Sequence, residues 1–441
     1  MVLGWSRRRN HKKANNKNGK PNMELVIPNH FRCPISLDLM KDPVTLSTGI
    51  TYDRQSIETW FDDGNFTCPV TNQIVKNFDM IPNHSLRMMI QDWCVENRQH
   101  GVERIPTPRI PISPTDVSNL LLQVKESSRR LDRLTCLDLV QKMERWGAES
   151  ERNKRIIVDN GAPASLASAF DAFAGDSVEK NVGVLDEILS ALKWMFPLQL
   201  EAQKSLGSHA SLSCMVWFLK HQDLPGKEKS IAALKELLSF GDKNNVEALS
   251  QIEGVNELLV ELVNKRISPT ITKNSLRVIW HMVSSSESEC GEKMKISFVE
   301  LGFLNTLLGI LIDSEKSICE KALAIFDCLC SCEKGRESAF GNDLTVPVLV
   351  KKVLRISSLS TDYSVSAIWK MCKFGEEEEE GKVLVEALQV GAFQKLLLVL
   401  QVGCGDSTKE KATELLKMMN PYRAELVECI DSDFKNLKRS F

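Results

Sequence analysis

A glycine followed by an apolar, helix-like segment recurs along most of the chain. Clear copies begin at Gly161, Gly254, Gly302 and Gly391, and weaker copies begin near Gly207 and Gly341. The successive steps are 46, 47, 48, 39 and 50 residues. One such unit cannot bury its apolar face by itself, whereas stacked units bury a continuous core and leave a long concave groove. The repeat therefore predicts an elongated array of helices.

The period also indicates the kind of array and its place in the chain. Units of about 40–47 residues are typical of armadillo or HEAT repeats with two or three helices. The 441 residues allow two or three domains. We predict a disordered basic tail over residues 1–24, a compact mixed segment over 25–100, a stiff proline-rich linker over 101–115 and armadillo-like repeats over 116–441.

Charge and cysteine content exclude several classes of protein. Residues 1–20 carry seven basic residues and no acid, so the rest of the chain has a net charge of about −9 against −2 for the whole. An acidic body argues against nucleic acid as the main ligand. The 13 cysteines, an odd number without a visible secretory signal, favour reduced thiols in the cytoplasm or the nucleus. No apolar run approaches ~20 residues, so no transmembrane segment is expected.

The compact segment has the pattern of a small α+β domain. Short strands over 44–46 and 50–52 flank a turn that contains Gly49. Asp53 stands where a helix N-cap belongs, and the helix after it places Ile57, Trp60 and Phe61 on one face. A last helix begins after Asn83, with Leu86, Met89 or Ile90, and Trp93 on one stripe.

Two loops around a central helix are also the plan of a zinc-binding RING finger. A RING needs eight ligands, mostly in close cysteine pairs. This segment offers the isolated residues His30, Cys33, Cys68, His84 and Cys94 and has no Cys-x-x-Cys pair. We therefore expect neither zinc nor any other cofactor, and we expect hydrogen bonds and ion pairs to hold the loops. The candidates are Ser36, Asp38, Asp42, Thr48, Asp53 and Arg54.

The order of these residues resembles a known family. The string from Phe31 to Val44 (FRCPISLDLMKDPV) is similar to the opening of a plant U-box, and STGITYDR, Trp60, Cys68-Pro69 and Pro82-Asn83 continue the match. With the repeats behind it, the chain resembles plant U-box–armadillo E3 ubiquitin ligases. The fold expected is mainly α: a small α+β, RING-like but zinc-free U-box, followed by an armadillo-type α-solenoid.

The resemblance implies an enzyme without a nucleophile of its own. The U-box would bind a ubiquitin-charged E2 enzyme and promote transfer of ubiquitin to a protein substrate held in the armadillo groove. The E2 contacts carried over are Ile35, Leu37, Trp60 and Pro69. Asn72 stands where related U-boxes have an arginine that contacts both E2 and ubiquitin. Residues with a structural role in the U-box are Asp42, Asp53, Arg54 and Asn83. Related proteins also imply a homodimer through the U-box and roles in stress or defence signalling.

Other interpretations stay open at this point. The chain could be a non-enzymatic armadillo adaptor with a degenerate U-box, or an importin-like carrier, although the regular Trp and Asn pairs of such a groove are absent. Cys33 and Cys68 could be reactive thiols instead of small core residues. Residues 328–332 (CLCSC) could hold a metal, although buried array cysteines explain them better. Residues 376–380, five consecutive glutamates, are expected to form a solvated loop.

Overall fold

A computed structural model describes residues 27–75, 77–105, 112–284, 289–374 and 377–437. The basic tail over 1–24 and three linker prolines, Pro106, Pro108 and Pro111, lie outside the described residues. The chain divides into two compact units, residues 1–111 and 112–441. Each unit is described by itself below.

The first unit is built on a small antiparallel sheet in the order β2-β1-β3. Its strands are β1 (Pro43–Thr45), β2 (Thr51–Asp53) and β3 (Ile81–Pro82). Val44 pairs with Tyr52 across the predicted hairpin, and Gly49 adopts φ 79° in the turn, a value that suits glycine. The hairpin prediction is confirmed. Strand β3 was not predicted, because two residues that include a proline carry no strand signal.

Two α-helices, α1 (Arg54–Asp62) and α2 (His84–Glu96), accompany this sheet. Ile57 is fully buried, and Trp60 and Phe61 pack against the core as the helical spacing predicts. On α2, Ile90 and Cys94 are buried, whereas Met89 is exposed. The core of this unit consists of Phe31, Cys33, Met40, Val44, Leu46, Tyr52, Ile57, Cys68, Val75, Ile90, Cys94 and Ile105.

The second unit is helical throughout its described length. Its helices are α3 (Pro114–Arg129), α4 (Arg133–Glu149), α5 (Glu151–Asp159), α6 (Ala162–Asp176), α7 (Val178–Lys193), α8 (Leu200–Leu206), α9 (His209–His221), α10 (Leu224–Ser239), α11 (Lys243–Ser250), α12 (Val255–Lys265), α13 (Pro269–Ser284), α14 (Glu289–Glu300), α15 (Phe303–Asp313), α16 (Lys316–Leu329), α17 (Glu333–Phe340), α18 (Thr345–Lys352), α19 (Ser358–Phe374), α20 (Glu377–Gln389), α21 (Ala392–Val402) and α22 (Asp406–Leu437). From α5 onward they form triplets of a first, a middle and a third helix.

The repeated glycines stand between the first and middle helices of these triplets. Gly161, Gly254, Gly302 and Gly391 adopt φ between 69° and 83°, in the left-handed region where a Cβ is strained. The chain bends there: α14 and α15 meet at 74°, and α20 and α21 meet at 77°. Gly341, one of the weaker copies, has an ordinary φ of −67°. No single helix in the described ranges is long and apolar enough to cross a membrane.

The third helices stack on one another through the array. We call the surface they share the ladder face; it comprises α4, α7, α10, α13, α16, α19 and α22, each of which packs on the next. Polar bonds also join successive repeats, such as Lys229 to Asp186 and Thr408 to Asp362, 43 and 46 residues apart. Those separations equal one repeat, so the period seen in the sequence is also the period of the stacking.

Three local expectations need correction. Helix α3 begins at Pro114, inside the predicted linker, because Ser113 and Asp116 form a capping box and proline suits the first helical turn. The glutamates from 377 onward open helix α20 instead of forming a loop, since carboxylates are favourable near a helix N-terminus. One helix through residues 328–332 would place Cys328 and Cys332 on the same face, and this expectation is wrong because α16 ends at Leu329.

Candidate functional site

The two loops of the first unit have the same backbone geometry. In loop 1 (33–38) the N–H of Leu37 donates to the carbonyl of Cys33, and the N–H of Cys33 donates to the carbonyl of Asp38, both at 2.8 Å. In loop 2 (68–73) Asn72 and Gln73 repeat these bonds with Cys68, again at 2.8 Å. Leu37 and Asn72 both adopt positive φ, 63° and 56°. The loops CPISLD and CPVTNQ are therefore two copies of one turn.

Both loops are fastened to neighbouring residues of β2 through cysteine sulfur. The backbone N–H of Asp53 donates to Sγ of Cys33 at 3.3 Å. The hydroxyl of Tyr52 lies 3.0 Å from Sγ of Cys68, and it accepts the N–H of Val70 at 3.3 Å. Adjacent positions on one short strand thus fix where the two loops lie.

Hydrogen bonds to sulfur change the acidity of both thiols. Burial raises the pKa of Cys68, but hydrogen bonds from the side chains of Thr48, Thr71 and Tyr52 and from the Thr71 backbone lower it to about 6. The pKa of Cys33 is also lowered, because backbone N–H groups outweigh its burial. Both cysteines are fully buried. An enclosed sulfur cannot reach a substrate, so their position favours an anchoring role over a nucleophilic one.

An ion pair and a carboxylate hold the segment that joins loop 1 to the sheet. Arg54 Nε lies 2.6 Å from Oδ2 of Asp42, with only 13% and 23% of the two side chains exposed. Asp53 occupies the N-cap position of α1, yet its carboxylate makes no cap bond. It accepts instead the backbone N–H groups of Lys41 and Asp42 at 2.7 and 2.9 Å. The carboxylate of Asp53 therefore holds the segment between loop 1 and β1 rather than capping the helix.

Asn83 joins the sheet to the last helix of the unit. Its Oδ1 accepts the N–H of Leu86 at 3.0 Å, so it caps α2 as expected. Its Nδ2 lies 3.4 and 3.3 Å from the hydroxyls of Thr45 and Thr51, which face each other across the hairpin. One side chain thereby contacts both strands and a helix end.

The predicted E2 contacts differ in their exposure. Leu37 is 68% exposed at the tip of loop 1, whereas Ile35, Trp60 and Pro69 are half-buried. Trp60 donates its Nε1–H to the carbonyl of Thr67 at 2.8 Å, which ties α1 to loop 2. The loop symmetry adds a residue that the sequence analysis missed: Val70, 53% exposed, is the loop 2 counterpart of Ile35.

The side chain of Asn72 is exposed, and its backbone is in the left-handed region. Asparagine tolerates that conformation better than most residues. Its loop 1 counterpart is Leu37. The conformation explains why asparagine suits this position. An arginine with the same backbone would pay a larger steric cost than asparagine does.

The donor set of the loops does not fit zinc. Where a metal-binding turn would have Cys-x-x-Cys, loop 1 has Cys33 and Ser36, and loop 2 has Cys68 and Thr71. Among the described residues there is no cluster of three or more His, Cys, Asp or Glu side chains arranged to hold a metal ion, the cysteines over 328–332 included. Independence from metal stays a prediction.

Comparisons with known families agree with this geometry. The model of the U-box domain matches residues 27–99, and the model of the plant U-box protein ARM repeat region matches residues 116–439. The chain belongs to the plant U-box–ARM family. The predicted fold class, a small U-box followed by an armadillo-type array, is thereby confirmed.

Relatives of this U-box–ARM chain cover its whole length. U-box domain-containing protein 21 of Arabidopsis thaliana is 44% identical over all of both chains. The E3 ubiquitin-protein ligase PUB23 of Arabidopsis thaliana is 34% identical over 90% of this chain and 93% of that protein. A designed armadillo repeat protein resembles part of the structure, with 17% identity, 57% of this chain and 99% of that chain covered, and a TM-score of 0.47. The family thus includes E3 ubiquitin ligases.

Proposed function

We propose that this U-box–ARM protein is an E3 ubiquitin ligase that binds a ubiquitin-charged E2 through its two equivalent loops. The observation that carries this proposal is the pairing of loops 1 and 2 on adjacent residues of β2. That pairing places Ile35 and Val70 at matching positions of the two loops, and it leaves Leu37 and Val70 largely exposed. A small apolar surface of this kind suits a weak, transient interface.

The chemistry proposed needs no reactive group on this chain. The E2 brings ubiquitin as a thioester, and the ligase raises the transfer rate by holding the substrate lysine and the thioester together. The buried state of Cys33 and Cys68 agrees with such a mechanism. The armadillo array would supply the substrate-binding surface, since repeat arrays use extended faces for that purpose.

The rival function is a non-enzymatic adaptor with a degenerate U-box. Asn72 is the observation that favours it, because an amide offers fewer hydrogen bonds than an arginine and no charge to restrain ubiquitin. Ile35, Trp60 and Pro69 favour the ligase, because these three of the four E2 contacts implied by the resemblance are the residues that would discriminate a ligase from an adaptor, and all three are present. A homodimer through the U-box also stays a prediction.

Ubiquitination in vitro with E1, a promiscuous E2, ATP and ubiquitin tests the proposal. We expect autoubiquitination or free chains with the full chain, and a loss with Ile35→Ala, Trp60→Ala or Pro69→Ala while the circular dichroism spectrum is unchanged. Full activity in all three variants would refute the site. Absence of any E2 chemical-shift change on titration with the unmodified chain would favour the adaptor.

A further inference from the structure

The middle of the ladder face carries a stripe of cations on α13. Lys273, Arg277 and His281 follow one another at intervals of four residues, so they project from one side of the helix. All three are half-buried. Lys235 comes from the neighbouring helix α10. Burial lowers the pKa of His281, and the nearby positive charges of Arg277 and Lys235 lower it further. We call these four residues the central basic cluster.

Elsewhere on the ladder face, cations are neutralised across helix junctions. Lys229 of α10 pairs with Asp186 of α7, and Lys370 of α19 pairs with Asp327 of α16, both at 2.7 Å. Lys373 of α19 pairs with Glu414 of α22 at 2.9 Å. Within the part of the chain that the structure describes, no ion pair crosses from α13 to α10 or from α13 to α16. The junctions on both sides of α13 therefore lack the interhelical ion pair that the α7–α10, α16–α19 and α19–α22 junctions have.

Arg277 itself has neither a hydrogen-bond nor an ion-pair partner among the described residues. Lys235 meets only the carboxylate of its chain neighbour Glu236, at 3.4 Å. A guanidinium presents several donors in a fixed fork that matches a carboxylate. An unpaired, half-buried arginine among other cations is therefore suited to an incoming carboxylate.

The residues that match Arg277 on the neighbouring helices α10 and α16 are small. Four ladder helices carry a pair of buried residues at an equivalent position. The pairs are Ser230-Ile231 on α10, Ser275-Leu276 on α13, Ala322-Leu323 on α16 and Ser364-Val365 on α19. The residue after each pair is Ala232, Arg277, Ala324 or Ser366. Small side chains thus stand at the matching place on both helices that flank α13, and Trp280 adds an apolar surface beside His281.

We propose that the central basic cluster is the docking site for an acidic peptide segment, rich in Asp and Glu, of the protein that this ligase modifies. The segment supplies to Arg277 and Lys235 the carboxylates that the α7–α10, α16–α19 and α19–α22 junctions already contain. Aspartate and glutamate are favoured over a phosphorylated side chain, because the Glu236 carboxylate beside Lys235 repels a dianion more than a single charge. The assignment of the segment to a substrate rests on the proposed ligase function; the docking site itself does not.

Fluorescence anisotropy with the full chain tests this site. The probe is a fluorescein-labelled peptide in which every second residue is Glu and the others are Gly or Ser. In the comparison peptides, Gln, Lys or phosphoserine replaces each Glu. We expect the Glu peptide to bind in a salt-sensitive way and the Gln and Lys peptides to bind at least about tenfold more weakly. Equal binding of the Gln or Lys peptide, tighter binding of the phosphoserine peptide, or no binding of any peptide overturns the proposal.

Variants locate the contact. Arg277→Gln should weaken the Glu peptide about tenfold or more, as expected for the loss of a charge-assisted hydrogen bond, and Arg277→Lys should retain part of the affinity. Arg152→Gln is the matched control, because Arg152 is exposed on α5, outside the ladder face. Equal affinities for Arg277→Gln and Arg152→Gln, with melting temperatures unchanged, would contradict the site. Binding is measured without E1, E2 or ubiquitin, so its failure and a failure of the ligase function are read separately.

Discussion

Tyr52 and Cys68 meet at 3.0 Å between the phenolic oxygen and Sγ, 16 residues apart in the chain. The same hydroxyl accepts the N–H of Val70, so a single tyrosine on β2 fixes both the sulfur and the tip of loop 2. The next residue, Asp53, does the same for loop 1 through its backbone. The sulfur atoms of Cys33 and Cys68 thus take part in the hydrogen bonds that hold the two loops.

The stability of the U-box unit should therefore depend on pH through Cys68. Its folded-state pKa, about 6, lies below the 9.0 of a free thiol, so the thiolate stabilises the fold fully above about pH 9 and loses that contribution as pH falls to about 6. Amide hydrogen exchange in residues 27–105 of the full chain, corrected for intrinsic rates, should show protection that increases with pH over this range. Cys68→Ser should flatten the dependence, and Cys94→Ser should not; an identical profile in Cys68→Ser would contradict the anchoring role.

Leu37 offers a test of the apolar surface that spares the fold. Leu37→Asn removes the exposed side chain and puts asparagine, which tolerates φ 63°, in the same backbone. We expect ubiquitin transfer to fall about tenfold or more, the range of a residue important for an interface. Met88→Gln on α2 is the control, because Met88 is also 68% exposed. Similar activity of the two variants would show that Leu37 does not contact E2.

Asn72→Arg should change function and stability in opposite directions. The added guanidinium can donate to both E2 and ubiquitin, so discharge of the E2 thioester onto free lysine should become several-fold faster. Arginine tolerates φ 56° less well, so the variant should lose about 1 kcal/mol of unfolding free energy. Asn72→Ala, with a similar backbone cost and no guanidinium, separates the two effects. If Asn72→Arg discharges the E2 thioester at the same rate as Asn72→Ala, the side chain at position 72 does not contact E2 and ubiquitin.

Two glycines of the array allow a matched test of backbone geometry. At Gly302 a Cβ has open space within 4 Å, but φ is +69°, so Gly302→Ala should cost about 1–2 kcal/mol through backbone strain alone. Gly341 lies before the middle helix α18 and has φ −67°. A Cβ added there would lie 3.6 Å from its nearest neighbour, the carbonyl oxygen of Glu337. Gly341→Ala should therefore be neutral or stabilising by less than about 1 kcal/mol. Thermal melting of both variants checks this, and an equal loss in each would reject the left-handed glycine as the reason for the repeat signal.

Chelation should leave the protein unaffected. Because the loops use Ser36 and Thr71 where a metal turn has cysteines, no folding free energy should come from zinc. EDTA added to the full chain should not shift its melting temperature, and a chain treated with EDTA and then dialysed free of it should keep its ligase activity. A fall of several degrees, reversed by zinc, would require ligands that the described residues do not offer.

The sequence by itself determined the features whose causes are local. Glycine at intervals of one repeat marks left-handed bends, Asn83 caps the helix that follows it, and the turn at Gly49 closes the hairpin. Each depends on residues within about four positions, where side-chain size and a single hydrogen bond decide the backbone.

The tertiary structure decided which side chains have partners. Asp53 is placed as a helix cap, yet its carboxylate turns to the N–H groups of Lys41 and Asp42, and only packing brings Tyr52 to Cys68. Likewise, nothing near Arg277 in sequence shows that it lacks a carboxylate. That depends on α10 and α16, about 45 residues away on either side, because in a repeat array the electrostatic neighbours of a residue lie one period along the chain.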